Sequence, residues 1–279
     1  MWRRGILEEI ERLDPVKDHE RIVFLDTCWE FSWDTARALE LALFRTFAVA
    51  KSTPLLASTG EFTLRTQKRY DDTVLLLAQL LEHGYDSQRG RAALRRMNQL
   101  HRRYQIPNDE YQYVLSTFVL EPIRWNARFG WRRLTEAERQ AAFIYWREVG
   151  RRMGIRDIPE SLEALERFNL AFEREHFRYA PTNHQLAIAT RDLFLSWVLP
   201  RPLWRLGAPV VHALMDDRLL DAVGLPRPPR LLRWLVEGAL RVRARVLRLL
   251  PRPRHPRLPT RMRTRTYPHG YRIEELGPP

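Results

Sequence analysis

Apolar residues recur at spacings of three and four along almost the whole chain, and no run of useful length alternates apolar with polar. A chain patterned this way buries its apolar side chains by packing helices on helices. The punctuation agrees. Thr135 followed by Glu138 forms a capping box that opens "EAERQAAFIYWREVGRRMG", and Gly154 stops it. Asn108 or Asp109 caps "EYQYVLSTFVLEPIRW", within which Pro122 marks a kink or a boundary. "SLEALERFNLAFEREHF" and "NHQLAIATRDLFLSWVL" follow with the same periodicity, and no internal repeat is visible. The expectation is an all-α protein.

With 279 residues, 44% of them hydrophobic, the chain can bury a sizeable core. One α-helical domain is expected over residues 1–225. A basic, proline-rich segment follows over 226–279, containing an amphipathic helix packed on the domain or on a membrane surface. The breaks "LPRPLW", "LPRPPR" and "LPRPRHPRLP" cluster late in the chain.

The net charge of +13 suggests a nucleic-acid binder until it is located. Residues 225–265 hold 13 arginines and one acid, Glu237, for a net of +12, so the rest of the chain is close to neutral. The segment is not a uniform polybasic tail. Over residues 231–250 Arg233, Arg241, Arg245 and Arg248 gather on one part of the helical wheel, with Arg243 off the cluster. Leu231, Leu235, Val242, Val246 and Leu249 lie opposite. Such a helix suits an anionic membrane surface, or it packs on the core with a solvated arginine face. No aromatic stacking platform accompanies it, so no nucleic-acid partner is expected.

Cys28 is the single cysteine, which excludes an internal disulfide framework and any cysteine-based metal cluster. The segment "MWRRGILEEIERLDP" has acids where a secretory signal needs an apolar core. No window of spanning length is free of charge. The expected location is cytoplasmic, with peripheral membrane contact through the basic helix.

Conventional active-site patterns are absent: no phosphate-binding glycine loop, no HExxH, no GxSxG. The histidines lie singly. Glu173 and Glu175 beside His176 read as a solvated helix face, and Cys28, Trp29, Phe31 and Trp33 as core contacts. His101 differs. In "LRRMNQLHRRYQIPNDE", read as a helix that stops before Pro107, His101 shares a stripe with Leu94, Met97 and Tyr104, while Arg95, Arg96, Gln99 and Arg102 lie opposite. An inward histidine is a hydrogen-bonded core residue or a metal ligand.

A second cluster lies in "QKRYDDTVLLLAQLLEHG", where Arg69 and Thr73 stand one helical turn apart and Asp72 sits one residue off their line. A glycine-containing turn, "HGYDSQRG", separates this helix from that of His101. Two helices so joined can face Arg69 and Thr73 across a cavity from His101. The alternative is an Asp cap with an arginine ion pair.

The ordered set "ALFRTFAV", "KRYDDT", "RRMNQLHRRYQIPNDE", "STFVLEPIRWNARFGWR" and "YWREVGRRMGI" resembles the MpaB-type oxygenase family, related to the latex-clearing rubber oxygenases, from about residue 10 to residue 225. The resemblance implies a globin-like helical core around haem b. His101 matches the proximal iron ligand, with Met97 and Tyr104 beside it in the cofactor pocket. It also implies distal, catalytic roles for Arg69, Asp72 and Thr73. In rubber oxygenases a lysine directly precedes that threonine; here Asp72 stands there, so a lysine-capped resting state is not expected. The base glutamate of rubber oxygenases has no secure match, Glu61 lying nearby at another spacing. The implied activity is haem-dependent cleavage of a carbon–carbon double bond in a prenyl or other apolar chain with O₂. The other readings are a peroxidase-like or O₂-binding haem protein, and a non-catalytic membrane-surface or partner-binding protein.

Overall fold

The computed structural model describes residues 4–251, 253 and 255–278, so Arg252 and Arg254 of the basic segment lie outside the described residues. The described residues form α-helices and short 3₁₀ and π turns without a strand, apart from one antiparallel bridge between Val49 and Phe177. The helices are α1 (Arg4–Glu11), α2 (His19–Phe24), α3 (Ser32–Thr46), α4 (Thr53–Ser58), α5 (Glu61–Leu64), α6 (Thr66–His83) and α7 (Gln88–His101). After them come α8 (Asn108–Phe129), α9 (Glu136–Arg152), α10 (Leu162–His176), α11 (Pro181–Ser196), α12 (Trp204–His212), α13 (Asp217–Val223) and α14 (Arg230–Leu249).

The Thr135–Glu138 capping box forms as expected and opens α9. Ser87 caps α7 by accepting from the Gly90 amide at 2.9 Å. Asn108 caps nothing: its side chain ties instead to the backbone of Arg156, at 2.9 Å for each bond. The α8 helix runs through Pro122, and Asn126 donates to the carbonyl of Pro122 at 2.9 Å. Pro122 lacks the amide that would bond the Phe118 carbonyl one turn earlier, so the helix continues through it with one ladder bond missing.

Apolar faces meet in two large clusters. Ile10, Ile22, Leu75, Leu80, Val119 and Tyr145 join α1, α2, α6, α8 and α9. Phe44, Phe47, Tyr113, Phe172, Leu186 and Leu220 join α3, α8, α10, α11 and α13. A buried charge cluster crosses the second. The Arg45 guanidinium on α3 reaches Glu121 at 2.9 Å, Glu173 at 3.1 Å and Asp216 at 2.7 Å. Glu173 is therefore not on a solvated face, contrary to the local reading of "FEREHF": it is buried and also accepts from the Tyr113 hydroxyl at 3.1 Å.

Beyond α14, residues 255–278 run back across α6 and α7 as a strap. Thr266 donates its hydroxyl to Asp71 at 2.6 Å, and Tyr267 donates to Asp72 at 2.5 Å. Gln79 donates to the Tyr271 hydroxyl at 2.7 Å. Arg96, expected in solvent, instead donates to the Leu276 carbonyl at 2.7 Å. Lys68 reaches the Gly277 carbonyl at 2.9 Å. Gly277 has φ +92°, and a Cβ there would lie 2.4 Å from Leu100, so both conformation and space demand glycine.

The orientation of α14 divides its arginines: Arg241, Arg245 and Arg248 are exposed, while Arg233 and Arg243 turn toward the fold. Arg243 pairs with Asp34 at 2.9 Å and Arg233 with Asp217 at 2.7 Å, while Arg128 of α8 reaches Glu237 at 3.0 Å. Leu240 and Ala244 pack inward. The stripe of Leu231, Leu235, Val242, Val246 and Leu249 faces outward. The acids of the body, which local sequence does not reveal, draw part of the arginine face onto the fold.

Candidate active site

A cavity of about 880 Å³ lies between α3, α6, α7, α8 and α11, with the strap closing part of its wall. That size is near the top of the range of roughly 300–1,000 Å³ usual for small-molecule and cofactor sites. Leu43, Leu55, Leu77, Val114 and Phe118 make much of its lining apolar. Arg69, Asp72, Thr73, Met97, His101 and Tyr104 all border this one cavity.

Helix α7 ends at His101, earlier than the expected stop before Pro107, and Tyr104 lies in the turn that follows, its amide bonded to the His101 carbonyl at 3.0 Å. Met97 stays on the helix one turn before His101 and is buried. The His101 ring meets Tyr111 edge-on, with centroids 5.5 Å apart. Its Nδ1 is buried with no hydrogen-bond partner among the described residues. Burial, and then the nearby Arg69 charge, push its pKa down to about 4. His101 is thus an imidazole kept neutral by burial, with one ring nitrogen unpartnered among the described residues, at a cavity wall.

Arg69 donates to the hydroxyl of Thr73, which in turn donates to the Arg69 carbonyl at 2.9 Å. The guanidinium lies over the Phe62 ring, 4.8 Å from its centroid. Burial lowers its pKa from the ordinary arginine value, against the pull of Asp72, Glu61 and Tyr104. It remains a cation in an apolar wall, with the strength that low polarity gives a fixed charge. Asp72, on the same wall, is held from two sides. Lys68 holds one of its oxygens at 2.8 Å and Tyr267 the other at 2.5 Å, so its carboxylate anchors the strap beside Arg69 and Thr73.

Sequence reasoning missed Glu40 and Tyr70. Both line the cavity, and Tyr70 donates to Glu40 at 3.0 Å. Burial raises Glu40 to about 7, opposed by Arg37 and by the Tyr70 bond. A carboxyl titrating there can exchange a proton near neutrality. Only its i, i+3 partner Arg37 hints at this locally; burial of the pair is a tertiary property. Trp33, read as a core contact, also lines the cavity. Cys28 does too, but burial first, and then the charge of Glu82, push its thiol up to about 12, so it is not a nucleophile.

Among the described residues no three His, Cys, Asp or Glu side chains gather to hold a bare metal ion. A lone imidazole on an apolar wall fits an iron carried by a macrocycle, to which His101 would supply a nitrogen donor. A bare ion asks for three or more protein ligands.

The profile described as "ER-bound oxygenase mpaB/B'/Rubber oxygenase, catalytic domain" matches residues 29–249, which carries the similarity through α14. The chain is 29% identical over 243 residues to the ER-bound oxygenase mpaB' of Penicillium brevicompactum, covering 81% of this chain and 57% of that protein. It is 29% identical over 212 residues to the ER-bound oxygenase mpaB of Penicillium roqueforti, covering 70% and 71%. It is 28% identical over 224 residues to mpaB of Penicillium brevicompactum, covering 72% and 56%. The chain thus spans little more than half the length of two of these relatives. A match over residues 29–249, with one cavity gathering the polar residues of α6 and α7, establishes that the chain belongs to the mpaB/B' and rubber oxygenase catalytic-domain family, a family of oxygenases.

Proposed function

We propose that this protein is a haem b-dependent oxygenase that cleaves a carbon–carbon double bond in a prenyl or other apolar chain with O₂. The observation that carries the reading is His101: a neutral imidazole, one ring nitrogen without a partner among the described residues, on the wall of a large apolar cavity. His101 would hold the iron, with Met97 and Tyr104 flanking the macrocycle. When bound, haem supplies the oxygen chemistry that no side chain can perform.

The chain's own residues do the rest. The apolar wall accepts an uncharged hydrocarbon substrate and excludes water. Arg69, its guanidinium held by the Thr73 hydroxyl, offers preorganised positive charge to the cavity. Asp72 positions the α6 turn that carries them. Glu40, with Tyr70 bonded to it, holds a proton at the cavity wall and can release or take one at neutral pH.

Haem reconstitution tests the ligand. The wild-type protein gives a Soret band, and His101→Ala loses it; full retention of an unchanged band in the variant overturns the assignment of His101. Turnover tests the reaction. The haem-loaded protein, given O₂ and a polyprenyl alcohol, consumes oxygen and forms carbonyl products, detected as hydrazones. A haem-loaded protein that leaves a range of polyprenyl and other unsaturated apolar chains intact is not a double-bond-cleaving oxygenase.

A further inference from the structure

The outward stripe of α14 has no partner among the described residues. Trp234 is 66% exposed, Leu235 50% and Leu249 86%, although these residues belong to a well-formed amphipathic helix. The neighbouring α12 adds Leu206 at 74%. The two helices pack together, and α12 in turn rests on α11, where Gly207 seats closely on Leu195 and Leu199. Large apolar side chains exposed together on adjoining helices mark a surface that something covers.

The charges around the stripe identify the cover. Arg201, Arg205, Arg230 and Arg245 are exposed and have no ion-pair partner among the described residues. A second copy docked by a two-fold axis would bring this arginine border against its own image, and like charges facing each other oppose association. An anionic lipid surface complements both parts at once. The apolar side chains enter the acyl boundary and the arginines meet headgroup phosphates.

We infer that the outward faces of α12 and α14 form an interfacial surface that seats the protein on an anionic membrane, apolar side chains inward and arginines at headgroup level. The cavity wall reaches the underside of α14 and also comes close to the exposed turn that follows α11. Trp33, which lines the cavity, lies under the Arg243 guanidinium of α14 at 3.7 Å from its ring centroid. Trp197 also lines the cavity, and the next residue, Val198, is 74% exposed. Among the described residues no helix is long and apolar enough to cross a membrane, so this is contact with one leaflet. The inference stands apart from the chemistry in the cavity and does not depend on haem.

The test is co-sedimentation of the full-length protein with vesicles of phosphatidylcholine alone or mixed with phosphatidylserine, at low and high salt. Binding is expected to the mixed vesicles at low salt and to weaken as salt rises. Leu235→Glu with Val242→Glu, both exposed, leaves the unfolding midpoint unchanged and lowers partitioning by more than about tenfold. Replacing Arg201, Arg205 and Arg245 with Gln lowers it by roughly fivefold per arginine and flattens the salt dependence. Failure of the wild type to bind at low salt overturns the inference. So does unchanged binding by the doubly substituted protein. So does a wild-type dimer in sedimentation equilibrium that Leu235→Glu converts to monomer, because the face is then an interface between copies.

Discussion

Tyr267 donates its hydroxyl to the carboxylate of Asp72 at 2.5 Å across 195 residues of sequence. The bond fixes the strap to the helix turn that carries Arg69 and Thr73. Tyr267→Phe removes one of two partners of a buried carboxylate. A hydrogen bond to a charged group contributes about 1.5–3 kcal/mol, and that loss is expected in denaturant unfolding. The strap should also become cleavable by limited proteolysis before the helices are. A Phe variant with wild-type stability and the same cleavage pattern would show that the strap holds by its other contacts.

Arg69→Ala and Thr73→Ala are expected to retain haem and lose turnover. Removing one preorganised donor at developing charge costs about 10²–10³ in rate. The two losses should be far from additive, because Arg69 and Thr73 are bonded to each other. Single-turnover rates of both single variants and the double variant check this, with the Soret band as the control for loading.

Glu40 predicts a pH dependence of stability. Its folded value near 7 stands above the ordinary carboxyl range, because burial outweighs the pull of Arg37 and Tyr70. The folded state therefore binds more protons than the unfolded state between those values. The contribution is fully present below the ordinary carboxyl range and is lost as pH rises through about 7, at up to about 1.4 kcal/mol per pH unit. Glu40→Gln should flatten the stability profile between the ordinary carboxyl value of 4.5 and about 7. Parallel profiles for variant and wild type would remove Glu40 from this role.

Arg45→Met should destabilise by about 3–5 kcal/mol, since it leaves Glu121, Glu173 and Asp216 facing one another without their shared cation. Arg45→Lys recovers little, because an ammonium cannot reach three carboxylates with the geometry of a planar fork. Chemical denaturation of the three proteins measures both effects.

Helix class was readable because it is written locally: the Thr135–Glu138 box and the spacing of apolar residues need no partner to be recognised. His101, Arg69 and Thr73 stood out by turn spacing and by family resemblance, and they border one cavity. What escaped was set by partners far along the chain. Glu173 looked solvated until Arg45 of α3 was placed beside it. Glu40 looked ordinary until burial raised it. The two faces of α14 were visible as a stripe and a basic cluster. Which face turned inward depended on Asp34 and Asp217, which no helical wheel of residues 231–250 contains. Tyr104 reached the expected cavity although the helix meant to carry it there stops at His101.

The strap also sets an order of assembly. Every wall contributed by α3 to α11 is synthesised before residues 255–278, and the bonds that tie Thr266, Tyr267 and Tyr271 to α6 close loops of 192 to 195 residues. Such distant closures come late in folding, because the chain entropy they cost is recovered only once their targets are in place. A nascent chain therefore passes through a stage in which the helices stand and one side of the cavity is still open. Whatever the cavity takes in has its widest entry then, and docking of the strap afterwards would turn a reversible visitor into a resident.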